Sequence, residues 1–230
     1  GHNAESHNHN DVGNFIIYCD GQPAIIDVGV GVYTKKTFGS NRYSLWSMNS
    51  AYHNVPTVNG VLQKNGFQYC AKNVEYKENV SDNKGNKFDH FKLNIEDAYP
   101  KNSNIIFWKR EFKFYRKPDA SISLKESFRL DSIQTENDYE TYMTMMSHPQ
   151  PRIEGDKITI FPKKAHNPLE IYFDREKLLV QIEQIDIKDE GLKRDWGAVL
   201  YKIKFIPINA KLSNTYLFTF TINNKPSNNV

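Results

Sequence analysis

The sequence predicts an all-β fold, a large antiparallel two-sheet β-sandwich of more than ten strands. Short runs rich in β-branched and aromatic residues, many alternating polar with apolar, recur along most of the chain and are separated by turn residues. No segment sustains the apolar period of about 3.6 residues that marks an amphipathic helix. With 230 residues the chain can bury a full core, and all-β units of this length are often single domains. One domain is therefore expected over 2–223, with a frayed polar tail over 224–230 and no internal repeat or linker.

The elements follow in order. Phe15 to Cys19 and Ala24 to Val28 form a first hairpin, turned at Asp20-Gly21, a dipeptide suited to tight hairpins. Thr34 to Ser50 reads as a long polar excursion with one helical turn. Strands are expected over Phe67 to Tyr76, Phe88 to Ile95, Ile105 to Tyr115, Ser121 to Leu130 and Tyr139 to Met146, with an exposed turn at Asp82 to Asn86. Lys157 to Phe161, Leu169 to Phe173, Leu178 to Ile187, Val199 to Ile206 and Tyr216 to Ile222 complete the set.

Composition removes several function classes. Thirty basic against twenty-seven acidic residues give a net charge of +3, scattered rather than concentrated, unlike a nucleic-acid binder. The interleaved charges read as a solvated surface, with local exceptions for an anionic glycan. Mean hydropathy is −0.66, and no apolar run approaches the roughly 18 residues of a membrane span. Cys19 and Cys70 lie in apolar strand contexts, where they either pair or stay as buried thiols. The sequence reads as beginning mid-protein, so that no signal peptide is expected in it and nothing about export follows from that.

Chemistry concentrates near the start. Ser6-His7-Asn8-His9-Asn10-Asp11 places two histidines at i and i+2, which an extended backbone would turn to one side. Ala24-Ile25-Ile26-Asp27 ends an apolar run in a carboxylate, which needs a cation or donors nearby because an unpaired buried carboxylate is costly. His53 precedes a further strand and its Asn59-Gly60 turn. His9, Asp27 and His53 form a His/His/Asp set suited to zinc, with calcium disfavoured because it prefers an all-oxygen shell. Asp11 reads equally as a carboxylate orienting an imidazole or as a turn residue.

The runs His7-Asn8-His9-Asn10-Asp11-Val12-Gly13-Asn14-Phe15, Ile26-Asp27-Val28-Gly29 and His53-Asn54 with Asn59-Gly60 and Gln63 resemble the C-terminal β-sheet domain of the heparinase II/III family of polysaccharide lyases. Asp97 to Pro100, Phe107 to Phe112, Lys117-Pro118-Asp119, and Trp196-Gly197 as a late strand extend the likeness more weakly. The resemblance implies a β-sandwich domain that acts beside an N-terminal α/α toroid, which supplies a Tyr and an Asn with no counterparts here. It implies β-elimination on a uronate-containing polysaccharide, whether heparin/heparan sulfate-like or alginate-like. His7 would then face substrate as the catalytic histidine, with His9, Asp27 and His53 holding a structural zinc behind it. An assignment to the periplasm or to the secreted proteins follows from the resemblance, as does inactivity of the chain without the toroid. The competing class is a non-catalytic carbohydrate-binding sandwich, which a lyase assay separates.

Other residues have plainer readings. The segment Tyr139, Tyr142, Met143, Met145, Met146 reads as a strand in a packed core. Trp46 and Trp108 read as buried indoles, Trp46 being the better sugar-stacking candidate. Lys109, Arg110, Lys113, Arg116 and Lys117 read as the exposed side of one strand, His90 as structural, and His148 and His166 as exposed turn residues. Tyr33, Tyr43 and Trp46 are expected to form an aromatic patch beside His7.

Overall fold

A computed structural model of the chain describes residues 1–5, 7–39, 41–116, 119–133 and 140–222. The readings of Lys117, Pro118, Tyr139 and the polar tail lie outside them. Strands dominate: β1 (His2–Asn3), β2 (Ile17–Cys19), β3 (Gln22–Ile25), β4 (Pro56–Thr57), β5 (Gly66–Cys70), β6 (Lys72–Ser81), β7 (Lys87–Asn94), β8 (Ile105–Tyr115) and β9 (Ser121–Leu130). They continue as β10 (Tyr142–Ser147), β11 (Arg152–Glu154), β12 (Lys157–Ile160), β13 (Leu169–Tyr172), β14 (Leu178–Asp186), β15 (Val199–Pro207) and β16 (Ser213–Ile222).

Eight strands form one sheet in the order β11-β12-β13-β16-β9-β8-β7-β6, and four form a second, β14-β15-β10-β4. Every strand pair is antiparallel. The two sheets pack as a sandwich because alternate residues of each strand face inward. Trp108, Leu124 and Phe128 of the large sheet share one buried cluster with Met143, Met145, Ile203 and Phe205 of the small one. The Trp108 and Phe128 rings stack at 4.7 Å. Ile17, Cys19, Ala24 and Ile25 join the cluster and so anchor the β2–β3 hairpin, whose turn residues Asp20 (φ 50°) and Gly21 (φ 73°) take the left-handed pair a tight hairpin requires. Cys19 and Cys70 are both free thiols.

A second cluster lies on the outer side of the four-stranded sheet. Ile26, Val28, Met146, Ile187, Leu192 and Leu200 are buried there under Trp46, Tyr52 and Trp196. The covering residues come from the 34–50 excursion and the turn after it, which fold as α1 (Lys35–Phe38) and three 3₁₀ turns, and from α2 (Glu190–Trp196). Helix α2 corrects the reading of Trp196-Gly197 as a strand. Asp189 caps its start by accepting from the Leu192 N–H at 3.0 Å, and the Trp196 indole donates to the Val28 carbonyl at 2.9 Å. Only Leu192 and Trp196, four residues apart, supply its apolar side, too little for a periodic signal.

Two further readings change. Arg110 is not on an exposed strand face: it is 1 % exposed, points into the sandwich from β8 and pairs with Glu126, directly opposite on β9. His148 is half-buried against the Trp196 ring at 5.7 Å rather than exposed. His166 is exposed, and His90 pairs with Glu111 at 3.0 Å on the strands' face.

Candidate metal centre

The site is built on a loop, not a strand. Between β1 and β2 the chain is held from several sides: Gln63 exchanges hydrogen bonds with both the N–H and the C=O of Val12 (2.8 and 2.9 Å), and the Asn10 N–H donates to the Met48 carbonyl at 3.0 Å. Arg42 donates from Nε to the Asn8 carbonyl at 2.8 Å and from a terminal nitrogen to the Thr37 carbonyl at 3.0 Å. His7 takes a left-handed conformation (φ 64°). The expected same-side alternation of His7 and His9 therefore fails, because a left-handed residue breaks the extended period. His7 is exposed and lies edge-on to Tyr33 and Phe38, 6.1 Å from each ring, while those two rings stack on each other at 5.4 Å. His9 is half-buried and faces inward, 5.1 Å from the His53 ring.

His9, Asp11, Asp27 and His53 each offer one donor atom, and the four atoms all lie within 4.8 Å of one another. Asp27 stands two residues past the end of β3, which stops at Ile25 rather than running to Val28 as expected. Its carboxylate accepts from Asn14 Nδ2 and from the Gly29 N–H, both at 2.7 Å. His53 closes the last 3₁₀ turn before β4 and is 0 % exposed. Its Nδ1 sits 3.5 Å from Asp27 Oδ2, and neither ring nitrogen has a hydrogen-bond partner among the described residues. A fully buried imidazole with both nitrogens unpartnered, facing two carboxylates and a second imidazole, fits a cation better than it fits an apolar core.

Electrostatics agree with that donor set. Burial, reinforced by the nearby His53, lowers His9 to about 4, leaving its ring neutral with a lone pair to offer. Burial alone would push Asp27 up, but His53, the Gly29 N–H and His9 outweigh it and hold the carboxyl at about 2. Burial raises Asp11. Ligands at zinc distances of about 2.0–2.2 Å stand about 3.4 Å from one another, so the donor atoms, all within 4.8 Å, would need to close by up to about 1.4 Å.

Two residues outside the predicted set hold this geometry. Asn54 is 0 % exposed; its Nδ2 donates to the carbonyls of Phe15 (2.6 Å) and Ile26 (2.9 Å), and its Oδ1 accepts from the Met146 N–H at 2.6 Å. Its own N–H donates to Asn14 Oδ1 at 3.0 Å, so one side chain links the residues next to His53 and Asp27. Arg110 donates to the carbonyls of Gly13 (2.6 Å) and Asn54 (2.7 Å) and to Glu126, whose other oxygen accepts from the Trp108 indole at 2.8 Å. Gly13 (φ 87°) permits the approach, since a Cβ there would meet the Ile95 side chain at 2.9 Å. The sequence held a signal for this pair: Trp108-x-Arg110-x-Phe112 and Leu124-x-Glu126-x-Phe128 place Arg and Glu at inward positions of two alternating strands.

Residues 1–174 match the family described as Heparinase II/III-like, C-terminal. The chain belongs to that family. No curated protein matches the sequence. Among solved structures, a heparan sulfate lyase, HepC from Pedobacter heparinus, superposes with a TM-score of 0.63 at 14 % identity, covering 95 % of this chain and 31 % of its own. A heparinase III superposes at 0.63 and 14 % identity over 94 % of this chain and 30 % of its own, and a further heparinase III structure at 0.67 and 13 % over 99 % and 32 %. At such identity the likeness carries the fold. The chain thus spans about a third of the length of these structures. All the candidate ligands of this heparinase II/III-like domain fall inside the matched residues, as does His7. The match stops just past β13, yet β14, β15 and β16 pair into the same two sheets.

The aromatic patch beside His7 is part expected and part new. Tyr33 is 50 % exposed and Phe38, which sequence reading missed, is 67 % exposed. Tyr43 is half-buried and its hydroxyl accepts from Asn8 Nδ2 at 3.4 Å, while Trp46 turns away to pack edge-on against Tyr52 at 5.0 Å. Among the described residues no helix is long and apolar enough to cross a membrane.

Proposed function

We propose that this heparinase II/III-like domain forms one wall of the active site of a polysaccharide lyase that cleaves a uronate-containing chain by β-elimination. His7 serves as an acid–base group, and His9, Asp27 and His53 hold a structural zinc. The observation that carries the reading is the split of the histidine pair: His7 is exposed beside Tyr33 and Phe38, while His9, two residues on, turns into the buried donor cluster. Zinc bound there would supply a fixed positive anchor beneath the loop, and Asp11 lies within reach as a fourth donor.

In β-elimination the C5 proton of the uronate is removed, the C4–O4 bond breaks and a C4–C5 double bond forms, so one group must accept a proton and another deliver one to the departing oxygen. The His7 imidazole can perform one of these transfers. Tyr33 and Phe38, stacked against each other with His7 across their edges, restrict its ring and leave an apolar surface on which a sugar face can lie. The complementary proton carrier and the group that neutralises the uronate carboxylate are assigned to an N-terminal α/α toroid in the parent protein. Localisation in the periplasm or outside the cell belongs to the same proposal.

The test is a comparison in the full-length parent. His7→Ala is expected to lower turnover about 100-fold or more with zinc content unchanged, as for loss of an acid–base group. His9→Ala is expected to lose zinc together with activity. Equal zinc loss in both variants would refute the division of roles. A non-catalytic carbohydrate-binding module, favoured by the exposed Tyr33–Phe38 stack, would instead bind uronate oligosaccharides in a parent that releases no unsaturated product.

A further inference from the structure

The loop from Val28 to Val32 leads from Asp27 of the metal centre to Tyr33 beside His7, and Gly29 and Gly31 give it little stiffness of its own. Three bonds fix it. The Gly29 N–H donates to Asp27 Oδ1 at 2.7 Å, and the Trp196 indole donates to the Val28 carbonyl at 2.9 Å. The Val32 N–H donates to both carboxylate oxygens of Asp189, at 3.1 and 3.0 Å. Asp189 and Trp196 stand at the two ends of α2, so one helix grips both ends of the loop. That helix lies beyond residues 1–174, which carry the family match.

Gly31 shows how closely the carboxylate is seated. A Cβ there would lie 2.4–2.5 Å from the Asp189 carboxylate, so a side chain would expel it. The Gly31 φ is not positive, and its backbone alone would admit alanine. Across the same contact, a Cβ on Gly191 would come within 3.1 Å of the Val32 nitrogen. Asp189 also caps α2 through the Leu192 N–H, but a cap needs a single oxygen and leaves the second oxygen and the bare Gly31 without a purpose.

The purpose lies one residue on. Val32 and Tyr33 are 54 % and 50 % exposed and belong to neither buried cluster, so burial does not hold them. From the far side the Tyr33–Phe38 wall is fixed by Arg42, which joins the Thr37 carbonyl to the Asn8 carbonyl of the His7 loop. Asp189 holds the side that Arg42 does not reach.

We propose that Asp189 is a positioning residue for the reaction assigned to His7: through Val32 it holds Tyr33 against the His7 ring, and Gly31 stays bare to admit its carboxylate. The inference rests on the reading of His7 as an acid–base group and adds a residue that sets its orientation. A displacement of about 1 Å at a reacting group can cost about 100-fold in rate, so a hold of this kind matters to turnover.

Amide exchange of the full chain, followed residue by residue by NMR, reads the contact without reference to activity. Asp189→Ser keeps a helix-capping residue but lacks the second oxygen. The Val32 amide should then exchange at least about tenfold faster while Leu192 keeps its protection. The His7 ring-proton signals, compared at one pH, should move as the Tyr33 and Phe38 rings leave. Gly31→Ala should reproduce both changes by expelling the carboxylate, and it carries the comparison should Asp189→Ser fail to fold. Asp189→Asn, which keeps one oxygen, should show smaller changes, and Glu190→Gln, exposed and next in the chain, neither. In the full-length parent, Asp189→Ser is expected to lower kcat about tenfold with KM within about twofold and an unchanged melting temperature. Unchanged Val32 exchange, His7 signals that stay in place when Val32 is released, or a rise in KM alone would overturn the role of Asp189. If those signals move but His7→Ala leaves the parent's turnover intact, the acid–base reading of His7 falls and the contact stands.

Discussion

Replacing Asn54 by Ala should do more damage than any change to a ligand. The side chain accepts the Met146 N–H and donates to the carbonyls of Phe15 and Ile26, at 2.6, 2.6 and 2.9 Å. Alanine leaves all three backbone groups without that partner in a region sealed from water. At about 1–3 kcal/mol for each buried group left unsatisfied, and allowing for partial relaxation, the expected loss is about 4 kcal/mol. That is a large share of the roughly 5–15 kcal/mol that holds a typical domain folded. Urea unfolding of the metal-free chain, with the slope compared to show that the unfolded state is unchanged, measures it. Because Asn54 follows His53 and bonds to the residue before Asp27, zinc affinity by competition titration should fall about 10–100-fold as well. Asn54→Asp keeps the acceptor for Met146 but sets a carboxylate against two carbonyls, so it should be no milder. A loss below about 1 kcal/mol, or an unchanged zinc affinity in a destabilised variant, would refute the role of Asn54 as the joint between the two ligand segments.

Elemental analysis of chain purified without chelator should give about one zinc per chain with ligand distances of about 2.0–2.2 Å, and a site that takes calcium in preference would count against the nitrogen-rich donor set. Glu126→Gln, which leaves the buried Arg110 short of its counter-charge, should cost about 3–5 kcal/mol in urea unfolding, while the double change Arg110→Met with Glu126→Leu should cost clearly less; equal losses would contradict an electrostatic origin. In the metal-free chain, His9 has a folded-state pKa of about 4, below its unfolded value, so the unfolded state binds the extra proton first. Stability from this group is therefore complete above pH about 6.5 and falls as pH drops towards about 4, by about 3 kcal/mol at most, and His9→Gln should flatten that slope. Asp27, held at about 2, acts later: its contribution is present above the ordinary carboxyl range and is lost only as pH falls towards about 2. The isolated chain should release no unsaturated product from heparin, heparan sulfate or alginate, as followed by ultraviolet absorbance, because one histidine supplies at most one of the two proton transfers.

Much of the fold was legible because it rests on local signals. Ile105–Tyr115 and Ser121–Leu130 read as strands from their aromatic and β-branched content and are strands end to end. Asp20-Gly21 turns the first hairpin as its chemistry requires. The grouping of His9, Asp27 and His53 was legible too, since a histidine in an Asn-rich run before a strand, a carboxylate ending an apolar run and a lone histidine before a further strand are conspicuous in a sequence. Their orientation was not. His7 turns outward through a left-handed backbone in a loop held by Arg42 and Gln63, both distant in the chain, and no local pattern encodes that. Arg110 was misread because its neighbours Lys109, Lys113 and Arg116 suggested a solvated face, when its place in the alternation with Trp108 and Phe112 argued the reverse. Helix α2 escaped notice because it is capped by Asp189 and anchored through Trp196 to Val28, and its stability owes more to those contacts than to amphipathicity.

The position of β16 governs when this molecule can become itself. The last described strand does not extend an edge; it lies between β13 and β9, pairing with Glu126 and its neighbours across some ninety residues of chain and with Ile171 on its other side. Until residues 213–222 have been synthesised, the large sheet lacks the strand that joins β11–β13 to β6–β9, and the ten-residue β9 and the four-residue β13 face the gap without their partner. Such open edges invite pairing with other chains. Assembly of the large sheet is therefore a late event, limited by long-range closure rather than by local hairpins. A boundary drawn at residue 174, where the family likeness ends, would leave the loop of the metal centre intact in sequence and remove the strand that joins the sheet behind it.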